Sequence, residues 1–215
     1  MKITLQNESF ELLPDKALFW ERKGLLALSD LHLGKAESIQ AAGVPIPSGA
    51  HREDLERLSH LLLRYQPKEV LILGDLVHNR HSLSENVMSE LHEFLNFHSQ
   101  IYWTLIYGNH DKAALTKLRL LPFHFTKDDL QIENFLFVHG HHKHPEAVFQ
   151  IQGHVHPAIR LQEGPLKMTL PCFHLTQNEL TLPAFGSLTG GYILKPRKSD
   201  RVFAIANREL FEVLL

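Results

Sequence analysis

Short apolar runs recur along this chain, and most stop at a polar residue next to a glycine. Leu25–Leu28 leads to Asp30, Val70–Leu73 to Gly74-Asp75, Ile101–Tyr107 to Gly108-Asn109, Phe135–Val138 to His139-Gly140, and Val148–Gln152 to Gly153-His154. Runs of this length, bounded by glycine, read as buried strands. Lys2–Leu5 and Ala17–Trp20 read the same way. Two stretches instead show helical spacing. Leu55, Leu58, Leu61 and Leu62 recur within 52–65, and Val87, Leu91, Phe94 and Leu95 within 84–97, where Ser84 is placed to cap the helix. Strand–helix alternation from Leu25 to Ile106 predicts parallel pairing with right-handed crossovers. Past Asn134 the spacing shortens. Further strands at 158–161, 172–175, 179–182, 192–194, 202–206 and 209–214 predict a largely antiparallel half. Gly43–Gly49 is the longest loop. The simplest assembly is one α/β domain over 1–215, with two sheets face to face and helices outside.

Composition narrows the setting. Apolar residues make up 44% and charged residues 21% of 215, an ordinary globular balance. No apolar stretch approaches the roughly 20 residues of a membrane helix, and the start of the chain lacks a signal-peptide core, so a cytoplasmic protein with no membrane partner is expected. The lone cysteine, Cys172, cannot form an internal disulfide and reads as a small buried apolar residue. A net charge of −2 argues against tight autonomous binding to duplex DNA. Lys195–Arg201 concentrates cations locally and reads first as a solvated turn.

Histidine changes the picture. The chain holds 16, crowded between His110 and His156. Five motifs organise them: Asp30-Leu31-His32, Gly74-Asp75, Gly108-Asn109-His110-Asp111, His139-Gly140-His141 and Gly153-His154-Val155-His156. A packed core has no use for strand after strand that ends in Asp, Asn or His. Two closely spaced divalent cations do, because a pair roughly 3.5–4 Å apart can clamp both the attacking and the leaving oxygen of a phosphate ester. The mixed nitrogen and oxygen donors suit Mn first, with Fe or Zn as alternatives, over Ca. Against two divalent cations, Asp30 and Asp75 leave a net +2 pocket for phosphate and hydroxide.

These motifs resemble the pattern of the calcineurin-like metallophosphoesterases, D-x-H, G-D, G-N-H-[DE], H and G-H-x-H, from Asp30 to His156. The resemblance implies a four-layer α/β/β/α sandwich. It implies that Asp30, His32 and His156 hold one metal, that Asn109, His139 and His154 hold the other, and that Asp75 bridges both. His110 would face the phosphate and protonate or stabilise the leaving oxygen, with Asp111 orienting it by a hydrogen bond. Outside the ligands, Leu18-Phe19-Trp20, Leu33-Gly34-Lys35, 42–47, 170–173 and 182–191 are similar to the ligase-associated DNA damage response phosphoesterases. That similarity implies a repair endonuclease, acting by attack of a metal-bridging hydroxide, with a DNA ligase and a helicase as partners. Gly74-Asp75-Leu76-Val77-His78 is similar to a segment of SbcD-type nucleases and makes His78 a second catalytic candidate. The expected substrate is a phosphodiester, single-stranded DNA among them, with a small-nucleotide diesterase or a phosphomonoesterase as the alternative.

Other polar residues are weighed more lightly. Lys35 could meet substrate phosphate. His141, among His141, His142 and His144, could support a ligand. Glu37, Asp128 and Asp129 read as solvated, and His51, His60, His92 and His98 as surface or capping residues. Trp20 and Trp103 read as core.

Overall fold

Seven strands lie side by side in chain order: β1 (Lys2–Leu5), β2 (Glu8–Leu13), β3 (Ala17–Trp20), β4 (Leu25–Leu28), β5 (Glu69–Leu73), β6 (Tyr102–Ile106) and β7 (His124–Thr126). The structure is a computed structural model and describes residues 1–127, 129–142 and 148–215. Asp128 and His144 therefore lie outside the described residues. From β1 to β4 the pairing is antiparallel. From β4 to β7 it is parallel, as the strand–helix alternation predicts. The crossovers run through α1 (Lys35–Ala41) and α2 (Ala50–Tyr65), then α3 (Glu85–Phe97), then a 3-10 turn and α4 (Leu115–Leu118). Ser84 caps α3, its side chain accepting from the Val87 N–H at 3.3 Å. No helix among the described residues is long and apolar enough to cross a membrane.

The period of two along a strand sorts this sheet's side chains. Leu26, Leu28, Val70, Ile72 and Leu105 face the helices and meet Leu55, Leu58, Leu62, Val87, Leu91 and Leu95. Leu25, Ala27, Leu71, Leu73 and Ile106 face the other way, into a core shared with Phe135, Phe137, Phe149, Ile151 and Phe173. Both faces are buried, so the strands read as unbroken apolar runs. Trp20 and Trp103 are core residues, as expected.

That second core belongs to a second sheet, built from β8 (Asp129–Ile132), β9 (Phe135–Val138), β10 (Phe149–Gln152), β11 (Pro157–Glu163), β12 (Leu166–Leu175), β13 (Glu179–Thr181), β14 (Tyr192–Ile193), β15 (Arg201–Ala206) and β16 (Glu209–Val213). Two mixed sheets with helices form the expected α/β sandwich, but of the four expected layers the outer helical layer over the second sheet is absent among the described residues, where α1 to α4 all lie within 35–118 on the first sheet. This half is largely antiparallel, as expected, but not throughout: β9–β10 and β10–β13 pair in parallel, and so does the edge strand β14 with β11. β9 and β10 must run the same way to bring their histidine-bearing ends to one edge.

Candidate metal centre

The ends of β4, β5 and β6 in one sheet, and of β9 and β10 in the other, meet at a single edge. The backbone there is unusual. Asp30, His32, Asp75, His154 and His156 all have positive φ, between 47° and 65°. Non-glycine residues rarely adopt this region, and strain of this kind gathers at functional sites. The turns are tied to one another. The Asp30 N–H donates to the Gly74 carbonyl (3.1 Å), the His32 N–H to the Asp75 carbonyl (3.0 Å), and the His154 N–H to Asp30 Oδ2 (2.8 Å). Glycine is required where these turns touch: a Cβ on Gly108 would lie 2.0 Å from Asp75 Oδ1, and one on Gly153 would lie 2.6 Å from Asp30 Oδ2.

Three groups of metal-type donors gather among the described residues: His32 with His78 and His110, and two that also contain a carboxylate. Of these two, Asp30, His32 and His156 form one, and Asp75, His139 and His154 the other; within each, the donor atoms lie within 4.8 Å of one another. His156 Nε2 is 3.1 Å from Asp30 Oδ1. His139 Nδ1 donates to the Leu73 carbonyl (2.9 Å), which turns Nε2 toward Asn109 Oδ1 (3.1 Å), His154 Nδ1 (3.1 Å) and Asp75 Oδ2 (3.4 Å). Asp75 also lies 3.9 Å from His32 Nε2, so it sits between the two groups. Burial raises the Asp75 carboxyl, but the hydrogen bond and charge of His139 and the His110 N–H outweigh it and hold it at about 2. Burial pushes His32 down to about 4 against the pull of Asp30 and Asp75. Burial also lowers His139, yet Asp75 and Asp30 leave it raised.

A test of fit comes from what these groups lack. Asp30 Oδ1, both ring nitrogens of His32 and His156 Nε2 are buried without a hydrogen-bond partner. One such atom costs about 1–3 kcal/mol. Three of them, Asp30 Oδ1, His156 Nε2 and one His32 nitrogen, can face a single point, and as metal-type donors they fit a cation.

His110 sits beside the ligands. Its N–H donates to Asp75 Oδ1 (2.9 Å) and its Nδ1 to the His78 carbonyl (2.6 Å), leaving Nε2 3.9 Å from Asp75 Oδ2. The expected hydrogen bond from Asp111 to His110 is absent among the described residues. Asp111 instead accepts from the Val77 N–H (3.1 Å) and the Gly108 N–H (2.9 Å), fully buried, with burial raising its carboxyl to about 6. The reason is reach: Asp111 opens the turn after His110 and points back under the loop, where two backbone donors need an acceptor. His78 does reach the site. Its ring stacks on His110 at 5.4 Å and meets His32 at 5.5 Å. Burial first, then Lys35, lowers it.

The surroundings hold further surprises. His141 lies against His139 (ring centroids 5.1 Å apart) and is pushed down to about 4 by burial, then by His139, His142 and Lys112. Lys35 is half-buried and lowered by burial. Lys16, not singled out from sequence, lines a cavity of about 280 Å³ with His156, Thr189 and Gly191. Asp54, also missed, accepts from the Ser187 N–H (3.1 Å) and from Arg57 (2.9 Å), and Arg57 donates to the Phe185 carbonyl. That clasp fixes the loop whose Gly186 N–H donates to the Asp30 carbonyl. His51 is buried between Glu37 and Glu90, not at the surface. Cys172 is buried, its thiol pushed up to about 12, and Asp200 caps the turn at Arg197.

A family model for the calcineurin-like phosphoesterases matches residues 24–196. Among solved structures, the nuclease MPE of Pseudomonas putida superposes with a TM-score of 0.87 at 27% identity, over 99% of this chain and 99% of that one. A phosphoesterase of E. coli, Yfce, aligns with a TM-score of 0.45 at 16% identity, over 88% of this chain and 98% of that one. No curated protein matches the sequence.

Proposed function

We propose, from the premise that this chain belongs to the calcineurin-like phosphoesterase family and is a metal-dependent hydrolase of phosphoester bonds, that it cleaves phosphodiesters and that its target is single-stranded DNA. The observation that carries the proposal is the pair of Asp/His groups with Asp75 of one lying 3.9 Å from His32 of the other, and His110 beside them and outside both. The likeness to a nuclease over the whole chain supports the choice of substrate.

In this reading Asp30, His32 and His156 hold one divalent ion, Asn109, His139 and His154 hold a second, and Asp75 serves both. Mn suits the donors best, with Fe or Zn as alternatives. Bound ions would draw charge from the phosphate and lower the pKa of a water toward neutrality. The chain's own residues do the rest. The Leu73 carbonyl fixes which nitrogen His139 presents. Hydrolysis adds a water oxygen to phosphorus and breaks the bond to an alkoxide, which must take a proton. His110 already donates Nδ1–H to the His78 carbonyl, so in the imidazolium form Nε2 carries the proton that the alkoxide needs. His78 stacks on that ring and limits its rotation. Asp111 holds the loop that carries Asn109 and His110.

The two aspartates leave such a site about +2, which a monoester dianion would neutralise and a diester monoanion would not. Purified protein loaded with Mn²⁺ should hydrolyse bis-p-nitrophenyl phosphate and cut labelled single-stranded DNA faster than it hydrolyses p-nitrophenyl phosphate. Ready monoester hydrolysis with every diester untouched would replace this reading with a phosphatase. The repair setting, with a DNA ligase and a helicase as partners, rests on the similarity at 182–191 and neighbouring segments. It predicts co-purification of those enzymes from the native host, and loss of the chain should sensitise cells to strand-breaking agents.

A further inference from the structure

The loop that delivers Asn109 and His110 also builds a second feature. Tyr107 immediately precedes it and Lys112, Leu115 and Arg119 follow it, and together they line a cavity of about 760 Å³. The cavity joins the metal centre through one side chain. His141 touches His139 and lies 6.2 Å from His154, centroid to centroid, while on its other side it meets His142 (3.9 Å) and Lys112 Nζ (3.5 Å), both of which line the cavity.

Its chemistry is distinctive. Tyr107 is half-buried and stacked on Phe125 (5.4 Å, 22°), so one aromatic ring, held by its neighbour, lies at the cavity wall. Lys127 and Asp129 also line it, each already engaged with a partner. Lys112 and Arg119 are exposed, and among the described residues Arg119 has no acidic partner. Cations around a fixed aromatic ring are the two elements by which proteins hold single-stranded nucleic acid, the cations tracking phosphate and the ring stacking a base. This is where the chain departs from its net charge of −2: the positive charge stands beside the chemistry.

We propose that this cavity is the subsite for a nucleotide flanking the scissile phosphate of a single-stranded polynucleotide, with Tyr107 against the base and Lys112 and Arg119 on the backbone. The proposal rests on the phosphodiesterase reading above and names the substrate's next contact. A single phosphodiester needs only the metal centre; a strand needs somewhere for its neighbouring nucleotide to lie.

Binding without catalysis tests it. Labelled oligo(dT) is titrated into metal-free protein in EDTA, with fluorescence anisotropy as the readout and thermal melts as a check on folding. Arg119→Gln and Tyr107→Leu should each weaken binding about tenfold. Arg119→Gln should also flatten the dependence of log Kd on log salt by about 0.7, one cation's share for single strands. Arg119 is exposed, so its variant keeps the test valid if the Tyr107 variant unfolds. Unchanged affinity and slope for Arg119→Gln would overturn the proposal. So would wild-type protein that hydrolyses bis-p-nitrophenyl phosphate yet binds no oligonucleotide, and that result would leave the diesterase reading standing. Displacement of oligo(dT) by an equal concentration of thymidine monophosphate would make the cavity a mononucleotide site and overturn the strand assignment. If both variants lost binding while Mn²⁺-loaded protein hydrolysed no diester, the subsite would stand and the diesterase reading would fall.

Discussion

His110 and its neighbour Asp111 show how much one residue's surroundings decide. Both stand in the same motif, yet they face opposite ways. His110 presents Nε2 to the site because the His78 carbonyl occupies Nδ1, while Asp111 turns inward to two backbone N–H groups. Replacing His110 with Ala should therefore lower kcat by about 10²–10⁴, the usual cost of losing a proton-transfer group, and leave metal content at the wild-type level. The loss should shrink for p-nitrophenyl leaving groups, which need little protonation. Metal analysis after extensive dialysis separates this from a ligand role, since a missing ion would reassign the residue. The candidate ligands were legible because Asp, Asn and His at strand ends are visible in a linear pattern. Asp111's partners were not legible: Val77 is distant in sequence and comes within reach only through the left-handed turn at Asp75.

At the scale of elements, the well-read strands were those buried on both faces, such as β4, β5 and β9, whose residues are apolar throughout. β2, β7 and β8 escaped notice because they are short or carry polar residues at alternate positions, as in His124–Thr126 and Asp129–Ile132. α1 has only seven residues and one buried side chain, too few for a helical period to show. What holds it is lateral. His51 of α2 meets Glu37 of α1 (3.2 Å) and Glu90 of α3 (2.9 Å), and Arg52 makes a two-pronged pair with Glu90 (2.6 and 2.9 Å). The Arg52 hydrogen bonds first, then His51, hold the Glu90 carboxyl at about 2, below the 4.5 of an unfolded chain. A folded-state pKa below the unfolded one stabilises fully above about pH 4.5, and that stabilisation fades as pH falls toward 2. Arg52 is largely exposed, so the clamp contributes about 0.5–1 kcal/mol, not the full value of the shift. Glu90→Gln should unfold more easily by that amount in urea at pH 7 and match the wild type only below about pH 2. An equal deficit at both values would show that the Glu90 charge does not act.

The whole molecule is two sheets that meet across a shared core, and the site lies where their edges meet. Asp30, His32, Asp75 and Asn109 come from the first sheet's strand ends, while His139, His154 and His156 come from the second's. Without a cation, four buried donor atoms there lack partners and five residues hold strained backbone. A ligand set drawn from both sheets can form only when they are docked, so a bound ion favours the folded state by mass action. At free Mn²⁺ about a hundredfold above its Kd, one site adds about 2.7 kcal/mol. For 215 residues, each kcal/mol raises Tm by about 2–4 °C. Mn²⁺ added to EDTA-stripped protein should therefore raise Tm by about 5–10 °C. The variants divide cleanly. Asp75→Asn removes the charge between the two groups, so it should abolish activity and most of this shift, whereas His110→Ala should keep the shift in full. Scanning calorimetry of the three proteins with and without Mn²⁺ reads both effects. If the Asp75 variant gained as much as the wild type, the ions would be held without the residue that joins the groups, and the link between the sheets through a shared centre would fail.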